Sequence, residues 1–148
     1  MTLFLLGLTP FVLGFLMNSW LIQNPDSVLP FKLIGFIFLA FWVTVGFISY
    51  KIEKTLLKSA VIAHLPALLM LSLIMYQEII VGQYWSNIIG IAAQFFFLPL
   101  INISSSVVGI VLSFIPWDIH VWSTGLIASI IAFLLMLTSY CLGYYLKK

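Results

Sequence analysis

Residues 30–50 read PFKLIGFIFLAFWVTVGFISY, and residues 51–58, KIEKTLLK, follow directly. The first stretch opens with proline and continues with about 20 mostly apolar residues, the length that an α-helix needs to cross about 30 Å of hydrocarbon. Tyr50 and Lys51 stand at its far end, as an aromatic residue and a lysine do where a helix leaves a membrane. The stretch therefore predicts a transmembrane helix from about Pro30 to Tyr50.

Apolar segments of similar length lie on both sides of this one. Polar or turn-forming residues separate them, and they cover approximately residues 3–22, 59–81, 88–115 and 121–146. The chain of 148 residues is 64% hydrophobic and 7% charged, whereas a soluble domain carries about 25% charged residues. The same composition excludes a disordered chain. We predict an all-α polytopic integral membrane protein, a single transmembrane domain over residues 1–148 with five apolar helical segments.

The lysine-rich loop at residues 51–58 predicts how the helices are oriented. Short loops rich in lysine stay in the cytoplasm. The Met1 end of the chain is then expected on the cytoplasmic side, and the turn around Pro25 on the outer side.

The fourth segment, residues 88–115, has two possible arrangements, because it is long for one crossing and is interrupted by Pro99 and three serines at 104–106. It is either one kinked helix, or two half-helices of about 13 residues that enter and return on the same side. Five crossings put three lysines on each side, whereas the re-entrant form puts five inside and one outside, in better agreement with the rule for basic loops. Irregular backbone inside a membrane needs protein or water to cover it, so five crossings are expected, with a bend between Pro99 and Ser106.

Charge, cysteine and motif content exclude several classes of function. All six basic residues are lysines, too few for a nucleic-acid surface and without the bidentate arginine clamp typical of phosphate sites. The single cysteine, Cys141, allows no disulfide within the chain. The sequence has no serine–histidine–acid set, no catalytic pair of acids and no glycine-rich phosphate loop. Asp118 and His120 offer two metal ligands where a site needs three or four. We predict no enzyme activity, no metal and no cofactor.

His64 and Glu78 are ionisable residues inside one predicted span, where each is a functional hypothesis because charge is costly there. They are separated by about 21 Å along an ideal helix and lie within about 40° of one face, with Ser72 and Met75 near the same line. One interpretation is a polar track for protons or cations, with His64 titrating near neutral pH. The alternative is structural: His64 hydrogen-bonds a neighbouring helix, and Glu78 reaches the lipid headgroups.

Gln94, Asn102 and Ser105 fall on one side of the fourth segment if it is a continuous helix. Their uncharged carboxamides and hydroxyl suit a neutral polar solute, or hydrogen bonds between helices. The break near Pro99 is of the kind that lines transporter midplanes, where freed backbone groups bind ions or substrate. These three residues join His64 and Glu78 as the predicted pathway for an ion or solute.

Two functions follow from these observations. The polar residues inside the spans favour a small transport or channel-type protein that moves a proton, an ion or a small polar solute through a helix bundle, as an oligomer. The scarcity of such residues favours instead a non-catalytic accessory, assembly or immunity protein that acts through contacts between helices.

The expected partners are the lipid bilayer and either a second copy of the chain or a larger membrane complex, with no nucleic acid. Small residues on the first and fifth segments, such as Gly7, Gly14, Gly125 and Gly143, let helices approach closely, within the chain or at a homo-oligomer seam. The exclusive use of lysine and the Ile/Phe-rich composition suggest an AT-rich bacterial genome. The bacterial plasma (inner) membrane is therefore the expected location.

Overall fold

A computed structural model describes residues 1–26, 28–113 and 121–147, and of residues 121–123 only the backbone. This part of the chain is helical and contains no strand, which confirms the predicted all-α class. The helices are α1 (Thr2–Gly7), α2 (Thr9–Gln23), α3 (Phe31–Ile52), α4 (Leu56–Met75), a π-helix (Tyr76–Val81), α5 (Ile88–Phe97), a 3₁₀-helix (Leu98–Leu100), α6 (Ile101–Ser113) and α7 (Val121–Lys147). They form five stretches that are long and apolar enough to cross a membrane, Thr2–Gln23, Phe31–Ile52, Leu56–Val81, Ile88–Ser113 and Thr124–Lys147.

A proline divides the first stretch into two helices. Pro10 lies in the first turn of α2, where a missing N–H is tolerated because the first N–H groups of a helix have no partner within that helix. The carbonyl of Leu6, which an N–H at position 10 would otherwise pair, accepts a hydrogen bond of 2.7 Å from the hydroxyl of Thr9. The kink therefore leaves no orphan carbonyl at this point.

Helices α3 and α7 run in the same direction. The hydroxyl of Tyr144 donates to the carbonyl of Glu53 at 3.2 Å, and the ammonium of Lys147 lies 5.2 Å from the ring centroid of Phe47. The end of α7 therefore lies beside the end of α3. We call the end of the bundle that carries the 51–58 loop and Lys147 the basic end, and the opposite end, with the loops at 24–30 and 82–87, the distal end.

The beginning of α7 lies at the distal end. A Cβ built on Gly125 would be 2.9 Å from the hydroxyl oxygen of Tyr84, which belongs to the loop after the π-helix. Because α4 leads from the basic end to that loop, α7 is antiparallel to α4. The segment between them, Ile88–Ser113, starts from the distal end, and the chain is at the distal end again when α7 begins.

Contacts of α6 agree with this path. Ile103 packs against Gly35, one turn from the start of α3, and Val108 and Leu112 share a groove with Thr124 at the distal end of α7. The fourth segment enters the bundle as α5, turns at the 3₁₀-helix and stays in the distal half as α6. This packing favours the alternative of four crossings plus a re-entrant fourth segment over the expected five crossings, and the number of crossings remains a prediction. The length of the apolar segment does not distinguish the two arrangements, because a re-entrant pair of half-helices needs as many apolar residues as one long crossing.

The break in the fourth segment is shorter than predicted. It is confined to the 3₁₀-helix around Pro99, and regular helix resumes at Ile101, whereas a bend as far as Ser106 was expected. Ser104 donates to the carbonyls of Leu100 and Ile101 at 2.9 and 3.1 Å. One serine is enough to hydrogen-bond the carbonyls next to the turn, so the following residues keep helical geometry.

The re-entrant arrangement makes the distribution of lysines asymmetric. The basic end carries Lys51, Lys54, Lys58 and Lys147, and the distal end carries Lys32. By the rule for basic loops the basic end is cytoplasmic. This orientation remains a prediction.

Glycines set the closest approaches between helices of the same chain. A Cβ on Gly46 would lie 2.0 Å from the carbonyl oxygen of Tyr140, and one on Gly143 would lie 1.8 Å from that of Val43. Gly7 and Gly14 bring the first stretch equally close to α4 and α5. These small residues serve packing within the chain, and a homo-oligomer remains a prediction.

Candidate functional site

His64 is buried in the basic half of the bundle. Its side chain is 1% exposed, and its ring lies between Trp42 of α3 and Tyr140 of α7, at centroid distances of 4.6 and 5.1 Å. Nδ1 is 3.0 Å from the carbonyl oxygen of Ala60. Because a carbonyl only accepts, Nδ1 carries the proton, and Nε2 of the neutral ring is left as an acceptor.

Three buried polar atoms meet in this aromatic cluster, which consists of Trp42, His64 and Tyr140. Within the described residues, the indole Nε1 of Trp42, Nε2 of His64 and the hydroxyl of Tyr140 have no partner at hydrogen-bond geometry, although the backbone of Met136 lies close to the His64 ring. Ser49 and Ser59 lie close to the Tyr140 hydroxyl, but their hydroxyls donate to carbonyls of their own helices at 2.6 and 2.9 Å. The cluster is tightly packed and incompletely hydrogen-bonded, which is costly in a low-dielectric interior.

The predicted track from His64 to Glu78 does not form. The buried face of α4 continues from His64 through Ala67, Leu71 and Ile74, all apolar. Ser72 and Met75, which were expected near the track, are exposed on the outside of the bundle.

The reason lies in the turns that follow α4. Residues Tyr76–Val81 form a π-helix, whose wider turns shift every later residue from the position that 100° per residue predicts. Gln77 is fully buried and bonds the backbone of Trp85 and Leu73, while Glu78 is only half-buried. The expectation that Glu78 shares a polar face with His64 is therefore wrong.

Glu78 is held by Tyr84 at the distal end. The hydroxyl of Tyr84 donates to one carboxylate oxygen of Glu78, and the other oxygen, Oε1, is buried without a partner in the described parts of the chain. Burial, together with this hydrogen bond and the negative charge of Glu78, raises the pKa of Tyr84 well above its ordinary value. Tyr84 therefore stays protonated and keeps its hydrogen bond over the whole physiological pH range.

A cavity of about 300 Å³ opens next to Tyr84 in the distal half of the bundle. Helices α2, α4, α5, α6 and α7 all contribute to its wall. Its lining consists of Asn18, Leu21, Ile74, Tyr84, Gln94, Phe95, Phe97, Leu98, Ile101, Gly125 and Ser129. We call this space the distal cavity; its size is within the lower range of small-molecule sites.

Two carboxamides provide the free polar groups of the distal cavity. Asn18 and Gln94 make no hydrogen bond to any other part of the chain that the structure describes, whereas the hydroxyl of Ser129 already donates to Gly125 at 2.9 Å. Each carboxamide offers two donors and an acceptor with two lone pairs. No charged side chain lines the cavity within the described residues, so the site suits an uncharged solute.

The three residues predicted on one side of the fourth segment are separated in the structure. Gln94 lines the distal cavity, Ser105 lines a neighbouring groove, and Asn102 lies in a shallow depression beside residues 28–33. The expectation of a common side is wrong because the 3₁₀-helix at Leu98–Leu100 breaks the helical phase between Gln94 and Asn102.

Sequence reasoning missed Asn18, Tyr84 and Ser129 as lining residues. Asn18 carries a usable signal, since it is a carboxamide inside the first apolar segment. Tyr84 resembled an interfacial aromatic, and Ser129 a small residue for packing. Their common cavity depends on the fold of all five stretches, which no local pattern reports.

Metal binding finds no support in the described residues, where no group of three or more His, Cys, Asp or Glu side chains could hold an ion. Asp118 and His120 lie outside the residues that the structure describes. No family model, no curated protein and no solved structure matches this chain.

Proposed function

We propose that the protein binds a small uncharged solute in the distal cavity as the first step of its transport across the membrane. The observation that carries this proposal is the pair of carboxamides, half-buried Asn18 and exposed Gln94, that line the cavity and make no hydrogen bond within the described chain. In a fold this poor in polar side chains, two such groups in one apolar cavity are what a specific binding site for a neutral molecule requires.

The closed basic half of the bundle favours a transporter over an open channel. Below the distal cavity the helices meet through glycines at Gly46 and Gly143, and the aromatic cluster of Trp42, His64 and Tyr140 fills the centre. A solute held at the distal end could pass only after these contacts separate. The proposed cycle therefore opens the two ends in turn around one site.

The re-entrant segment supplies the element that can move in this cycle. Its 3₁₀-helix around Pro99 lies beside the cavity, next to Leu98 and Ile101 of the lining. Hinges are commonly a few residues at the ends of helices that absorb changes in φ and ψ. A change of angle between α5 and α6 would alter the cavity directly.

The proposal is tested by uptake into liposomes that contain the purified protein. A panel of labelled neutral solutes, with glycerol, urea and erythritol as the first members, is offered at pH 7. We expect saturable uptake of at least one of them, lost with Gln94→Leu and Asn18→Leu. Asn102→Leu is the matched control, because it removes a carboxamide from the same re-entrant segment outside the cavity. Equal loss of uptake in all three variants would contradict the site.

The second candidate is the non-catalytic accessory, assembly or immunity protein. It is favoured by the apolar buried face of α4 from Ala67 to Ile74, which leaves no continuous polar path from His64 towards Glu78 among the described residues. Binding of a solute without uptake, sensitive to Gln94→Leu, would support this candidate, with the cavity as a receptor or lipid site. Location in a bacterial plasma membrane and assembly into an oligomer are proposed for both functions.

A further inference from the structure

We infer that the natural ligand of the distal cavity is an uncharged single-chain amphiphile, with its polar head at Asn18 and Gln94 and its hydrocarbon chain in an adjoining groove along α6 and α7. The inference rests on the proposed function and specifies the class of solute.

The groove is a second space of about 290 Å³ beside the distal cavity. The two spaces share Ile101 and Gly125 as lining residues. The other lining residues of the groove, at the surface of α6 and the start of α7, are Ser105, Val108, Gly109, Leu112, Thr124 and Ala128. Together they make an elongated site rather than a compact one.

Carboxamides line only one of the two spaces. Asn18 and Gln94 line the distal cavity next to α2 and α5, whereas the groove has the hydroxyl residues Ser105 and Thr124, and both linings are mainly apolar. Among the described residues that line either space, none carries a charge. A carboxylate or phosphate head would lose its hydration without a counter-ion, which is expensive in an apolar surrounding. Hydroxyl, ester or amide heads can both donate to and accept from Asn18 and Gln94.

Gly125 lies between the two spaces, because it lines both of them. A Cβ at this position would lie 2.9 Å from the hydroxyl oxygen of Tyr84, closer than carbon and oxygen atoms normally approach. Tyr84 itself is held by its hydrogen bond to Glu78. A larger residue at position 125 would therefore fill space at the boundary between the cavity and the groove. It would not remove either of the carboxamides that are proposed to contact the head group.

The groove lies where a lipid tail can reach it. Ser105 and Gly109 are exposed on α6, and a Cβ on Gly109 would meet no atom within 4 Å. Because α6 stays in the distal half as part of the re-entrant segment, its exposed side faces the leaflet at that end. The ligand can enter sideways from this leaflet, with its chain aligned among lipid tails.

The experiment measures equilibrium binding of labelled 1-oleoylglycerol to the full-length protein in nanodiscs, with 1-butyrylglycerol and oleate as the short-chain and charged probes. We expect both of these to bind at least about tenfold more weakly, because each buried methylene adds favourable transfer free energy and a charged head is penalised. Gly125→Leu and Ser105→Phe should weaken binding of 1-oleoylglycerol by a similar factor. Ser106→Phe is the matched control on the same turn, since Ser106 does not line the groove. Thermal unfolding of each variant in nanodiscs checks that it is folded.

Each outcome separates this inference from the proposed function. Equal affinity for the long and short probes, with no effect of Gly125→Leu or Ser105→Phe in folded protein, overturns the amphiphile while leaving a small-solute site intact. Binding of 1-oleoylglycerol that is lost with Gln94→Leu and Gly125→Leu supports the amphiphile even if liposome uptake of every solute fails. Equal loss with Ser106→Phe would mean nonspecific lipid contact and would also overturn the inference.

Discussion

The hydroxyl of Tyr144 donates a hydrogen bond to the backbone carbonyl of Glu53, although the two residues are 91 positions apart in sequence. Tyr144 also packs its ring against Tyr50 at a centroid distance of 5.3 Å. These contacts bind the last turns of α7 to the end of α3 and to the loop between α3 and α4. They place the end of α7 on the side of the lysine-rich loop, which favours an even number of crossings.

The first prediction is that Thr55 and Lys147 face the same compartment. In a Cys141→Ala background, cysteines introduced at these two positions should both resist an impermeant thiol reagent in intact cells, and both should react after the cells are opened. A cysteine at Val28, which is 90% exposed at the distal end, should react in intact cells. Opposite labelling of positions 55 and 147 would refute the re-entrant arrangement. Labelling of both in intact cells would reverse only the orientation.

The second prediction concerns the contact between α3 and α7. Gly143→Ala would place its Cβ 1.8 Å from the carbonyl oxygen of Val43, so the helices must move apart. We expect a loss of about 1–3 kcal/mol in stability, the usual cost of overpacking, seen as a lower unfolding temperature in detergent. Gly109→Ala is the matched control, because a Cβ there meets nothing within 4 Å, and it should not lower the unfolding temperature. Equal unfolding temperatures for the two variants would show that α3 and α7 do not pack as described.

The third prediction distinguishes two roles of His64. His64→Phe removes an acceptor that has no partner and keeps most of the ring volume, so stability should stay equal or rise. The carbonyl of Ala60 retains its helical hydrogen bond after this change. His64→Ala should cost about 2–5 kcal/mol, because it leaves a cavity beside Trp42 and Tyr140.

Uptake of solute is the second measurement for His64. If His64 serves packing alone, the Phe variant keeps both its uptake and the pH dependence of that uptake. Loss of uptake in a variant that unfolds no earlier than the natural protein would show that the imidazole takes part in transport.

The fourth prediction is a pH dependence that comes from Tyr84. Its pKa is raised in the folded protein, so the stabilisation is fully present below the ordinary tyrosine value of about 10 and is lost as pH rises above that value. Unfolding temperature should therefore fall more steeply at alkaline pH in the natural protein than in Tyr84→Phe. Glu78→Gln should lower the pKa of Tyr84, because it removes the neighbouring charge, and an ultraviolet titration of tyrosinate would show this. An unchanged titration would mean that Tyr84 and Glu78 are apart in solution.

Much of the fold could be predicted because hydrophobic length and turn residues are local properties. The helix from Pro30 to Tyr50 appears as α3, Phe31–Ile52, and the other apolar segments also appear as helical stretches. A break of the first apolar segment is present next to Pro10, with α1 ending at Gly7. Each of these features depends on residues within one or two turns.

The features that were predicted wrongly depend on the phase of a helix or on distant contacts. Glu78 left the face of His64 because a π-helix intervenes, and Gln94 and Asn102 separated because a 3₁₀-helix lies between them. Each irregular turn changes the rotation between successive residues. The helix face on which a later residue lies therefore cannot be predicted by counting 100° per residue. The packing that favours four crossings depends on the contact of Tyr144 with Glu53, which no sequence window contains.

The re-entrant fourth segment also has a consequence for gene architecture. An even number of crossings places the start of α1 and the end of α7 at the same end of the bundle, as the contacts of Gly7 with Ala63 and of Tyr144 with Glu53 indicate. Two copies joined head to tail by a short polar linker would therefore insert in parallel, with their cavities open to one compartment. A chain with five crossings would need an additional helix in the linker to achieve this. Tandem duplication is thus available to this protein without any change in its membrane topology.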